Sequence, residues 1–205
     1  AERRSVEVYR GHPEIVIDRL LDIAEQEKAG AIFRITGDMP FADPMLMDRM
    51  AELRKEHDLD YVRVMNFPLG MSAELFSTTY LQKLYQQMED PGQSEYLGWF
   101  VMLDRDAKKG CLKIEAGGLD LSAYSLTVDY HEDLERCHSL MNSIGKPKMV
   151  DICLEDILRN LDKLSVVDAR MVIKLPSGQQ MEYSKFVEMQ WDQGFSVIEP
   201  VSITI

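Results

Sequence analysis

Basic residues are scarce: 23 Lys and Arg stand against 35 Asp and Glu, for a formal net charge of -12. Phosphate backbones and anionic membranes need a basic footprint, so neither nucleic acid nor a membrane surface is expected as a partner. A phosphate-bearing ligand stays open, because a metal ion can supply local positive charge. Cysteine is sparse too. Cys111, Cys137 and Cys153 are scattered and odd in number, without a CxxC spacing. That excludes a zinc knuckle and a secreted disulfide framework, and points to a reducing, cytoplasmic setting. No apolar run is long enough to span a bilayer. The opening Ala-Glu-Arg-Arg lacks the apolar core of a signal peptide and an initiating Met, so a fragment or a processed product is expected. GxSxG, P-loop, HExxH and GxGxxG motifs are all missing, as are internal repeats and low-complexity tracts.

What is there is ordinary globular material: 205 residues, 45% hydrophobic and 28% charged, enough for one substantial core. A strand is expected at Ser5–Tyr9, and a helix opened by Pro13 with Ile15, Val16, Leu20, Leu21 and Ile23 on its apolar face. A strand over Ala31–Ile35, a helix over Pro44–His57 and a strand over Asp60–Val64 follow. This alternation predicts a parallel sheet covered by helices. Further on come an extended piece over Met71–Phe76, a helix over Thr78–Met88, a turn at Asp90-Pro91-Gly92 and a helix over Glu95–Leu103. Strands are expected at Cys111–Glu115 and Tyr124–Val128, then a helix over Glu132–Ile144 stopped by Gly145. Lys146-Pro147-Lys148 reads as a boundary between an α/β domain at 1–145 and a small α+β appendage at 146–205. The appendage is read as a helix over Val150–Leu164, a hairpin around Pro176-Ser177-Gly178, a short helix over Ser184–Asp192 and a half-buried strand over Phe195–Ile205.

The segment 33–44, Phe-Arg-Ile-Thr-Gly-Asp-Met-Pro-Phe-Ala-Asp-Pro, carries the most information. Its strand stops at Gly37 and leaves Asp38 just past the end. In open α/β sheets ligands bind beyond the carboxyl ends of strands. A carboxylate there can hold Mg²⁺, which takes one or two carboxylates and fills its other positions from phosphate and water. A solvated loop Asp is the plainer alternative. Asp129 ends a second strand in the same way, and two such aspartates could converge on one metal. Glu132 and Asp133 fall in the first turn of the next helix, where negative charge caps, and His131 is read as a solvated helix-start residue. Arg34, inside a strand, needs a partner; a phosphate or a buried carboxylate would serve.

In order and spacing these segments resemble the spore-coat polysaccharide biosynthesis cytidylyltransferase-like family, relatives of CMP-sugar-acid synthetases. The likeness rests on Tyr9-Arg10-Gly11, on Asp18-Arg19, and on Arg34 through Pro44, which match Arg-Ile-Thr-Gly-Asp-x-Pro-x-x-Asp-Pro. It continues through Pro68-Leu69-Gly70, Glu74, Phe76-Ser77, and Thr127 through Glu135. It covers about residues 5–144. It implies a glycosyltransferase-A-like α/β nucleotidyltransferase fold with a mostly parallel sheet. It also implies transfer of a nucleotide from CTP to a sugar, with Mg²⁺. Asp38 and Asp129 would be the metal ligands, Glu74 would line the sugar side as a substrate-binding residue, and Arg34 is the candidate cofactor-binding residue.

Two features depart from the family. Its glycine-rich, basic triphosphate-binding loop has no counterpart before Ser5, so on the order of two βα units are read as absent. Its Arg-Glu-His triplet is Ser94-Glu95-Tyr96 here. A non-catalytic binding or assembly module on a degenerate transferase fold, with the appendage making a homodimer contact, is therefore the alternative. A glycosyltransferase on the same fold is a third reading, lowered by the lack of a strand-end Asp-x-Asp.

Overall fold

A computed structural model describes residues 6–166, 172–175, 178–182, 185–186, 189 and 194–203. Its centre is a five-stranded sheet in the order β1-β3-β2-β4-β9, built from β1 (Ala31–Arg34), β2 (Tyr61–Met65), β3 (Glu74–Ser77), β4 (Lys109–Glu115) and β9 (Val197–Ser202). β2, β4 and β9 pair in parallel, and β3 runs antiparallel to both β1 and β2. Four strands thus point one way, and β1 and β2 are not neighbours: β3 is inserted between them. The β1–helix–β2 alternation reads as an adjacent parallel pair, whereas the short 66–73 connection returns the chain into the gap. The stretch after Lys146 contributes β9 to this same sheet.

Side chains alternate across the sheet, so it carries an apolar layer on each face. Val62, Val64, Leu75, Leu112 and Ile114 join Met50 and Leu53 of α2 (Pro44–His57) and Cys137 and Leu140 of α5 (His131–Ile144). Ile157 and Leu158 of α6 (Leu154–Leu158) complete that layer. Tyr61 and Phe76 face the other way, with Ile17 of α1 (Val16–Glu27), Tyr80 and Leu81 of α3 (Thr78–Gln87), and Leu97 and Val101 of α4 (Leu97–Leu103). Among the described residues no helix is long and apolar enough to cross a membrane, and the three cysteines are free thiols.

Local chemistry sets the element ends. Asp43 caps α2, accepting from Met45 N (2.9 Å) and Leu46 N (3.3 Å), with Pro44 in the first turn. Asp133 caps α5 through Tyr130 N (2.8 Å), as its first-turn position led one to expect, and Gly145 closes that helix at φ 76°. Helix α1 starts at Val16 rather than Pro13, because the His12 ring accepts from Glu14 N (3.2 Å) and Ile15 N (3.1 Å) and holds a turn ahead of it.

Three expected elements differ. Residues 6–10 form no strand among the described residues, and Val6 and Val8 lie exposed; an extended segment becomes a strand only by pairing. The helix over Val150–Leu164 breaks into one-turn pieces around α6. Cys153 is extended there, with Asp156 accepting from its N–H at 3.0 Å, and the Asn160 side chain bonds the Asp156 carbonyl at 2.9 Å. These side chains compete with the helix for its backbone groups. The strand at Tyr124–Val128 shortens to β5 (Tyr124–Ser125), which pairs with β6 (Ser165–Val166) outside the main sheet. Of the hairpin, β7 (Val172–Lys174) and β8 (Gln180–Glu182) pair antiparallel; Pro176 and Ser177, with most of the helix expected at Ser184–Asp192, lie outside the described residues.

The acidic caps predict an acid limb. Burial alone would raise the Asp156 carboxyl, but the Lys146 ammonium and the Cys153 N–H overcome it and hold it down to about 2. The backbone N–H groups of Tyr130 and Asp129, with Arg136, hold Asp133 below the usual carboxylate range. Folded values below the unfolded one, about 3.9, mean stability that is present above that value and lost as pH falls through the folded one. Melting temperature should therefore fall as pH drops from about 5 toward about 2, and Asp156→Asn should flatten that limb.

Candidate functional site

The carboxyl ends of the parallel strands gather the residues that the motifs single out. Arg34 ends β1, and the antiparallel register sets it directly against Glu74, the first residue of β3. Arg34 donates to Glu74 Oε2 at 2.8 Å, and the buried Tyr61 hydroxyl donates to Glu74 Oε1 at 2.7 Å. A second nitrogen of Arg34 donates to the Glu95 carbonyl at 2.9 Å. The partner that a strand arginine requires is thus a carboxylate of the chain itself. Helix α4 seats on this pair because Gly98 has no side chain: a Cβ there would lie 2.2 Å from Glu74 Oε1.

Past Arg34 the chain leads to Asp38, which is half-buried and accepts from the Thr36 hydroxyl. Three loops are then laced together by backbone bonds. Leu69 N donates to Tyr124 O at 2.9 Å, Leu126 N to Leu69 O at 2.7 Å, and Val128 N to the Asp38 carbonyl at 3.0 Å. The last bond sets Asp129 one residue from the point where its loop touches Asp38. Gly70, at φ 87°, makes the lacing possible; a Cβ on it would lie 2.6 Å from Thr127 N. Asp129 is exposed, and its N–H is held by Asp133 Oδ2 at 3.0 Å. His131 is solvent-facing, 3.5 Å from Glu135. Asp129 therefore follows a two-residue strand outside the main sheet, and its loop is tied to Asp38 directly, through Val128 N.

A cleft of about 750 Å³ opens beside this rim, between α1 and the end of β1, lined among others by Tyr9, Arg19, Phe33, Arg34, Thr36 and Gly37. Arg19 is tied to the His12 and Pro13 carbonyls at 2.6 and 2.8 Å. Among the described residues no group of three or more Asp, Glu, His or Cys side chains forms a metal cage. Two carboxylates on touching loops suit an ion that takes its remaining ligands from phosphate and water, as Mg²⁺ does.

Three contributors were not legible beforehand. Tyr61 looks like any strand residue, and its tie to Glu74 follows from pairing alone. Asn66, left-handed at φ 54°, donates to Ile114 O (2.7 Å) and accepts from Leu121 N (2.8 Å), fastening the loop after β4. Asp43 holds Leu154 N at 3.2 Å as well as its own helix; the Asp-Pro pair signals the first role and nothing signals the second.

No family model matches the chain. It is similar to the spore coat polysaccharide biosynthesis protein SpsF of Bacillus subtilis (strain 168), 31% identical over 147 residues, 70% of this chain and 60% of SpsF. An uncharacterized protein of Methanocaldococcus jannaschii is 26% identical over 158 residues, 77% of this chain and 64% of that protein. The chain thus spans less than two thirds of the length of either relative. A solved cytidylyltransferase from Leptospira borgpetersenii serovar Hardjo-bovis (strain JB197) superposes with a TM-score of 0.68 at 26% identity, covering 82% of this chain and 73% of that one. The likeness to SpsF and the fold held in common with the Leptospira cytidylyltransferase support a cytidylyltransferase-like family for this chain.

Proposed function

We propose that this chain forms the metal and sugar side of a nucleotidyltransferase that moves a cytidylyl group from CTP to a sugar in surface-polysaccharide synthesis, in the cytoplasm and with Mg²⁺. The observation that carries this reading is the Val128–Asp38 backbone bond, which brings the Asp38 and Asp129 loops together at the rim of the sheet. A sugar oxygen attacks the α-phosphorus of CTP, the bond from that phosphorus to the bridging oxygen breaks, and pyrophosphate leaves. Such transfer is mostly positioning and charge neutralisation. Asp38 and Asp129 would hold the Mg²⁺, which when bound offsets the charge of the triphosphate. Thr36 orients the Asp38 carboxylate, and Asp133 fixes the backbone at Asp129. Arg34, which lines the cleft, is the phosphate contact, and Glu74, its ion-pair partner, lines the sugar side.

The test is pyrophosphate release from CTP and a panel of sugars by the protein expressed with all that its gene encodes upstream of Ala1. Release should require Mg²⁺ and fall at least about a hundredfold in Asp38→Ala, with an unchanged melting profile. Full release by the variant would refute the metal assignment. One observation favours a second reading, a non-catalytic binding module: Arg34 is already tied to Glu74. Nucleotide binding without release of pyrophosphate for any sugar would select it.

A further inference from the structure

Arg34, Glu74 and Arg63 stand side by side across three neighbouring strands. β1 and β3 pair Arg34 with Glu74. β2 and β3 pair Tyr61 with Phe76 and Val62 with Leu75, and the next step of that register sets Arg63 opposite Glu74. Directly opposed residues share a face, with Cβ atoms about 4.5–5.5 Å apart. Glu74 therefore has an arginine on either side, and only Arg34 is engaged, at 2.8 Å. Arg63 Nε is buried with no hydrogen-bond partner among the described residues. On its other side Arg63 is in register with Cys111. Burial, opposed in part by Arg63 and Lys113, pushes that thiol up to about 12, so it is neutral and offers no counter-charge.

The charges meet at one hydroxyl. Burial first, then Glu74, raises the Tyr61 phenol, and Arg63 and Arg34 oppose them. Half-buried guanidinium groups are costly without a counter-ion, and here both Glu74 oxygens are taken, Oε2 by Arg34 and Oε1 by the Tyr61 hydroxyl, with no bond to Arg63. The two arginines differ in reach: Arg34 lines the 750 Å³ cleft, and Arg63 is not among its lining residues. Gly98 leaves the Glu74 carboxylate free of a side chain overhead.

We propose that Glu74 is a two-position counter-ion, paired with Arg34 in the arrangement seen here and moving to Arg63 when a phosphate or pyrophosphate group in the cleft takes Arg34. The proposal rests on reading the cleft as the phosphate side of a nucleotidyltransferase. A phosphate oxygen pair matches the guanidinium fork and repels the carboxylate that held it. Tyr61 serves as the pivot, and Arg63 is a positioning residue that never touches the ligand.

Calorimetric titration with inorganic pyrophosphate tests this in four proteins: wild type, Arg63→Met, Glu74→Gln and the double variant. Arg63→Met should weaken binding about tenfold, since the displaced carboxylate loses its second partner. Glu74→Gln should tighten binding severalfold by freeing Arg34. In that background Arg63→Met should change affinity by less than about twofold. Arg63→Lys, which keeps the charge, should restore most of the affinity. Equal weakening by Arg63→Met in both backgrounds would reduce its effect to a distant charge and overturn the proposal. If Arg63→Met does not fold, Glu74→Gln carries the test, and unchanged or weaker binding by it is decisive against. Absence of pyrophosphate binding in the wild type removes the phosphate-side reading and this proposal with it. Binding that is indifferent to Arg63 removes this proposal alone.

Discussion

Asp43→Ala is expected to lower stability by about 3 kcal/mol, and the melting temperature by about 10 °C. The carboxylate is buried, at 4% exposure, and makes three hydrogen bonds. Oδ1 accepts from Met45 and Leu46 at the start of α2, and Oδ2 accepts from Leu154 at the start of α6. An N-cap lost to alanine costs roughly 0.5–2 kcal/mol, and a buried N–H left without a partner costs roughly 1–3 kcal/mol more. One side chain thus joins helices 111 positions apart. Asp43→Ser divides the two contributions: its hydroxyl caps α2 but is too short to serve Leu154 as well. It should recover about half of the loss in urea or thermal denaturation. If alanine and serine cost the same, the Leu154 bond is the one that matters.

The same residue shows where sequence reading succeeds and where it stops. Helix α2 was legible end to end: Asp43-Pro44 opens it, and Arg54, Lys55 and His57 crowd its last turn. Helix α5 was legible for similar reasons, with acidic residues at its start and Gly145 at its end. These signals are local, and so are the forces behind them. What was not legible depends on pairing between distant segments. Nothing in the spacing of Ala31–Arg34 and Tyr61–Met65 announces that β3 enters between them. Yet that insertion puts Glu74 against Arg34, and it places Tyr61 where its hydroxyl reaches the same carboxylate. A strand arginine demands a counter-ion, and composition alone cannot say whether the chain or a ligand supplies it. Asp38 and Asp129 were both read as strand-end residues. Asp38 does lie just past β1, whereas Asp129 follows a two-residue strand outside the main sheet, and what joins their loops is the backbone bond from Val128 N to the Asp38 carbonyl. The helix expected over Val150–Leu164 has a sound apolar period, but Asp156 and Asn160 hold backbone groups that a continuous helix would need.

Gly70→Ala is the substitution expected to reach stability and the candidate site together. At φ 87° any Cβ is strained, by about 1–2 kcal/mol. This Cβ would also lie 2.6 Å from Thr127 N and 2.9 Å from Leu126 C. Those are backbone atoms of a segment already bonded on both sides of the contact, to Leu69 and to Asp38. They cannot rotate away as a side chain would, so the 68–70 loop and the 126–129 loop must part. The bonds from Leu126 to Leu69 and from Val128 to Asp38 weaken with them, for a total of about 3 kcal/mol or more. Asp129 then moves relative to Asp38. Misplacement by about 1 Å can cost about a hundredfold in rate, so pyrophosphate release should fall by that order even in protein kept folded by low temperature. Gly117→Ala is the control. Gly117 also has positive φ, 58°, but a Cβ there meets nothing within 4 Å. It should carry the strain of about 1–2 kcal/mol alone and leave release untouched. If Gly70→Ala destabilises as expected yet release persists, Asp129 does its work without the contact to Asp38, and the two carboxylates do not share an ion.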